Sequence, residues 1–162
     1  MSMGKKLIGI AAIVACSLGS QAFAVEGCIV LKSVAEVEKE TVDAAGKKTT
    51  TLVPVDKAVP GVEVIWTVTA NNKCDKPSEK VTINLPVPEH MTYVPDSAVG
   101  PGSDVSFSVD GKTYAAQGQL TVQENGAARA ARTDEFRHVR WSFKDSLQPG
   151  ATAMARFRAV LN

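Results

Sequence analysis

The sequence predicts an all-β protein, an immunoglobulin-like antiparallel β-sandwich of about eight to nine strands. Three observations carry that prediction. Apolar residues recur at every second position in run after run, the period of half-buried strands. Turn dipeptides containing Gly, Pro or Asn separate the runs at short intervals, as in sandwiches and barrels. Helix-forming composition is confined to one short stretch, 127–136.

The elements follow in order. Residues 1–24 read as a secretory signal: Lys5 and Lys6 are followed by a run from Leu7 to Gly19 that is almost wholly apolar or small. Ala22-Phe23-Ala24 then meets the small-x-small cleavage rule, so processing would fall between Ala24 and Val25. A second reading stays open at Cys16, because Ile13-Val14-Ala15-Cys16 also fits a lipobox that would make Cys16 the lipidated first residue. The apolar run is shorter than the roughly 20 residues a membrane helix needs, and no later segment reaches that length. The expected mature protein, 25–162, is one domain exported to the periplasm, cell surface or exterior.

Within it, 34–42 and 48–55 form the arms of a long hairpin around Ala45-Gly46. Val62, Val64, Trp66, Val68 and Ala70 share one strand face. Val81, Ile83 and Leu85 share another, in a strand ended by Pro86 and Pro88, since proline cannot donate to a central ladder. Val105, Phe107 and Val109 precede Asp110-Gly111, a dipeptide suited to a tight type I′ hairpin with 112–116. Asn125-Gly126 marks a further turn, and 127–136 is expected as one helical turn or a loop, being too short for an independent helix. Val139, Trp141 and Phe143 make an inward face. The last strand does the same with Ala153, Ala155, Phe157, Ala159 and Leu161. Trp66 and Trp141 are therefore expected in the core.

Charge narrows the function. The chain holds 18 Lys and Arg against 17 Asp and Glu; without Lys5 and Lys6 the remainder has 16 basic groups and a net charge of −1. That balance offers no footprint for nucleic acid. Beyond Cys16, Cys28 and Cys74 remain, and an even pair in an exported chain predicts one disulfide. Neither lies in a Cys-x-x-Cys pair, so redox catalysis and a zinc knuckle lack support.

Candidate chemistry is sparse. His90 and His138 are the two histidines, and no Gly-x-Ser-x-Gly elbow presents a nucleophile to either. No catalytic residue, cofactor or metal site is assigned, and the chain reads as a non-enzyme. Glu36, Glu38 and Glu40 share a strand face without an Asp-x-Asp-x-Asp calcium loop. All six arginines fall between 129 and 158, and Arg137, Arg140, Arg156 and Arg158 are expected to form a cross-strand patch. Such a patch could hold an acidic glycan, a lipid head group or a protein. The alternative is surface charge paired with Asp134, Glu135 and Asp145.

Several short motifs resemble a known family. Val59-Pro60-Gly61-Val62 opening a strand that ends at Asn71-Asn72, Leu85-Pro86 followed by Met91-Thr92-Tyr93-Val94-Pro95, and Leu147-Gln148-Pro149-Gly150 before the last strand are similar to the DUF11 domains of exported bacterial proteins. The likeness spans about 58–162, with 99–137 inserted between its middle and final motifs. It implies an immunoglobulin-like fold and a structural or adhesive module of the envelope, and it transfers no catalytic residue. The function expected is an exported envelope or surface module working through protein contacts, by a protein partner or self-assembly. The alternative is a periplasmic binding module for a small ligand, acidic glycan or metal.

Overall fold

The computed structural model describes residues 27–42, 44–55 and 57–162. The signal-peptide reading, with Cys16, Ala24 and Val25, lies outside them. The described residues form ten antiparallel strands, one more than the upper end of the expected range. They are β1 (Ile29–Val42), β2 (Lys48–Pro54), β3 (Glu63–Asn72), β4 (Thr82–Pro86), β5 (Met91–Tyr93), β6 (Ser103–Ser108), β7 (Thr121–Glu124), β8 (Ala127–Ala130), β9 (His138–Phe143) and β10 (Thr152–Leu161). A five-stranded sheet in the order β2-β1-β3-β10-β5 faces a three-stranded sheet, β4-β9-β6, and β7 pairs with β8 in a separate ribbon. No helix among the described residues is long and apolar enough to cross a membrane.

The predicted alternation sets the core. Val64, Val68 and Ala70 of β3 and Ala155, Phe157 and Ala159 of β10 meet Ile83, Phe107, Val139 and Trp141 of the smaller sheet. Small residues on β10 leave room for large ones opposite, so Trp141 is fully buried with its ring 6.3 Å from Phe157. Tyr93, Phe107 and Phe136 extend the same cluster, with Phe107 and Phe136 stacked at 4.6 Å. Trp66 faces inward too, yet it is only half-buried. So are Ile29, Leu31, Ala35 and Val37 of β1. The three-stranded sheet therefore seals β3 and β10 better than it seals β1.

Three local expectations are corrected. Asp110-Gly111 reverses the chain, but only Gly111 has positive φ, and 112–116 pairs with β6 through one bridge, Phe107 to Ala115. The Asp110 carboxylate takes over the turn by accepting from the backbone N–H groups of Lys112 and Thr113, both at 2.8 Å. Those amide bonds, Thr113's first, hold its pKa at about 2. In 127–136, Asn125 and Gly126 both take positive φ and fold Ala127–Ala130 back onto β7 as a strand. Only Thr133–Glu135 makes a 3₁₀ turn. The short β5 was not among the predicted runs, because three residues cannot display a period.

Candidate interaction surface

The β1–β2 hairpin carries the longest strands of any exposed ribbon among the described residues. Seven residue pairs join its arms, from Glu36–Pro54 to Val42–Lys48. Pairing of β1 with β3 covers Ile29 to Glu36 only. Past Glu36 the ribbon thus runs on with no third strand among the described residues, and 38–42 and 44–52 are exposed on both faces. One face carries Glu36, Glu38 and Glu40 beside Pro54, Leu52 and Thr50, and the other Val37, Lys39 and Thr41 beside Val53, Thr51 and Thr49. Leu52 and Val42 are among the exposed large apolar residues.

The acidic stripe is partly neutralised where it stands. Lys48 Nζ lies 3.3 Å from Glu40. Arg158 reaches across from β10 to Glu63 at 2.6 Å and Glu38 at 2.8 Å. The two carboxylates, Glu63's first, raise the Arg158 pKa further above its ordinary value. Arg156, two residues earlier on the same outer face, donates from Nε to Thr67 Oγ1 at 2.9 Å.

The four arginines expected in one patch are not brought together. Arg156 and Arg158 lie on the outer face of the five-stranded sheet. Arg140 lies on β9 in the other sheet, in register with Asn84 and Ser106 and facing away from the core. Periodicity places each arginine outward, but it does not say that the last two strands belong to different sheets. Arg140 stacks over the Tyr114 ring, 3.4 Å from its centroid, and Tyr114 donates to Asn84 Oδ1 at 3.0 Å. Arg137 sits just before β9 and donates to the carbonyls of Asp134 and Phe136. It lines a cleft of about 330 Å³ with His90, Glu89, Asp134 and Asn162. His138 lies half-buried beneath the Gly111 turn, so tightly that a Cβ on Gly111 would come within 2.9 Å of its ring.

Cys28 and Cys74 form the expected disulfide, with Cα atoms 5.0 Å apart. It ties the entry of β1 to the loop leaving β3. The Lys73 N–H donates to Cys28 O at 2.7 Å, and the Cys74 N–H donates to Asn72 Oδ1 at 2.9 Å. Buried Asn72 also donates to Lys76 O and Leu147 O, binding that loop to the chain before β10.

Sequence reasoning missed the polar cluster around Arg129. Its guanidinium meets both Glu124 and Glu135 at 2.7 Å. The Arg129 hydrogen bond, helped by the Arg132 backbone N–H, holds Glu135 at about 2. Glu124 and Arg129 alternate toward one side of a β7–β8 ribbon, and recognising that required the ribbon itself. Comparison of the chain with protein-family models, with curated proteins and with solved structures finds no match.

Proposed function

We propose that this chain is an exported, non-enzymatic module of the cell envelope or surface that acts through protein–protein contacts, with the β1–β2 hairpin as its contact element. The observation that carries the reading is the hairpin's projection: seven residue pairs in register, of which the outer ones leave both faces exposed. An extended ribbon with an open edge can add a strand from a partner, backbone hydrogen bonds supplying affinity and side chains supplying selectivity. The signal-peptide reading and the disulfide support export, because disulfides persist in oxidising compartments. The DUF11-like motifs support an envelope role by resemblance.

The test is removal of 40–50 from the full-length chain in its native host. The arm lies outside the core, so the variant is expected to melt as the parent does and to be lost from the envelope assembly. Retention of the variant in that assembly at parental levels would show that the hairpin is not the contact element.

A further inference from the structure

We infer that the open edge of β2 pairs with the β2 of a second copy of this chain, antiparallel, with Thr51 on the two-fold axis. This names a partner for the contact element proposed above and rests on that reading.

The register follows from the backbone. Val55 donates its N–H to Ala35 O at 3.1 Å, and Val55 stands opposite Ala35 one step beyond the Glu36–Pro54 pair. Antiparallel pairs alternate between hydrogen-bonded and non-hydrogen-bonded. Val53, Thr51 and Thr49 therefore turn their backbone groups toward β1, while Pro54, Leu52, Thr50 and Lys48 turn theirs outward. Proline falls where its missing N–H costs β1 nothing. Among the described residues nothing pairs with this outward row.

Other edges are short, blunt or charged: β7 and β8 have four residues each, and β1 beyond Glu36 carries Glu38, Lys39 and Glu40. β5 has three residues, β4 ends on Pro86, and β6 is bridged by Ala115. By contrast, β2 offers seven residues, and 49–53 is Thr-Thr-Thr-Leu-Val, β-forming and without charge.

That edge is self-complementary. With Thr51 facing Thr51, each Thr50 meets the other copy's Leu52 and each Lys48 meets the other copy's Pro54. All seven residues are then used, and the outward groups make roughly six backbone hydrogen bonds. No like charges stand opposite one another. Each Lys48 instead lies one strand away from the Glu36 that pairs with the facing Pro54. Sliding the copies so that the Lys48 ends converge shortens the overlap and sets lysine against lysine, which is destabilising.

The experiment is site-directed cross-linking of the otherwise unaltered mature protein under mild oxidation. Residues facing each other in a non-hydrogen-bonded pair have Cα atoms about 4.5 Å apart, within disulfide reach. T51C alone is expected to give a covalent dimer. T49C and V53C each stand roughly 13 Å from their own copies across this register, so neither is expected to link alone, whereas an equimolar mixture of the two is. L52P removes an outward N–H and leaves the β1 ladder intact; it is expected to abolish T51C cross-linking without moving the melting temperature. Failure of T51C to link, with a monomer in sedimentation at about 100 μM (weak interfaces bury little area), overturns the pairing. Self-linking by T49C or V53C overturns the register. Either failure leaves the envelope reading standing if deletion of 40–50 still releases the protein: after the first the partner is a different chain, and after the second it is a second copy held in another register.

Discussion

Replacing both Cys28 and Cys74 with serine is expected to lower stability by an amount that the fold allows to be estimated. The bridge closes a loop spanning a sequence separation of 46. In the chain-entropy description, a loop of that size constrains the unfolded chain by about 4 kcal/mol. The native side of the balance should barely change. Cys28 is exposed and Cys74 half-buried, and the bonds from Lys73 N–H to Cys28 O and from Cys74 N–H to Asn72 Oδ1 need no sulfur. With an unfolding entropy near 2.1 cal/mol/K per residue over roughly 135 residues, 4 kcal/mol corresponds to a fall in Tm of about 14 °C. Scanning calorimetry of oxidised protein, reduced protein and the double-serine variant measures it. The reduced protein and the variant should coincide. Both should also unfold with a larger urea m-value, because an unbridged denatured chain exposes more surface. A fall below about 4 °C with an unchanged m-value would refute the argument, by showing that the bridge does not restrict the unfolded chain.

Two further perturbations probe other parts of the molecule. A Cβ at Gly100 would overlap the buried Trp141 ring and crowd Ser103 Oγ, so Gly100→Ala should destabilise by about 1–3 kcal/mol, as overpacking does; a urea midpoint equal to the parent's would exclude the clash. Glu135 is held at about 2 by Arg129, below its unfolded value, so its contribution is present above about pH 4.5 and is lost as the pH falls toward 2. Glu135→Gln should flatten that acid limb in denaturation at low salt, and an unaltered limb would mean the ion pair contributes nothing.

Much of the sandwich was legible because burial on one face imposes a period of two, which Ala155, Phe157 and Ala159 of β10 display cleanly and which Val64, Val68 and Ala70 of β3 keep although Ile65 and Thr67 on its other face are buried as well. The β1–β2 hairpin was legible for a different reason: Ala45-Gly46 interrupts two β-forming runs, and the turn forms there. Sheet membership was not legible. Arg140 and Arg156 look equivalent by alternation, yet β9 pairs with β4 and β6 while β10 pairs with β3 and β5. The β7–β8 ribbon was hidden by its composition. Alanine and arginine favour helix, but the positive-φ turn at Asn125 and Gly126 and the Arg129 ion pairs override that preference.

The hairpin arm poses the sharpest question of economy in this fold. A two-stranded ribbon alone is marginally stable in water, and beyond Val37 the β1 arm of this one packs no residue against the core. Its outer part therefore adds little to folding while it keeps a regular register of pairs. Open edges are a liability that proteins blunt with charge, proline or brevity, and β4 and β5 are blunted by proline and brevity. On β2 those devices stand only at the two ends, as Lys48 and Pro54, around a neutral five-residue centre. Guards at the ends alone do not prevent strand addition; they restrict it to the alignment in which each lysine meets a proline. That is the expected pattern where an edge is retained for one partner and one register.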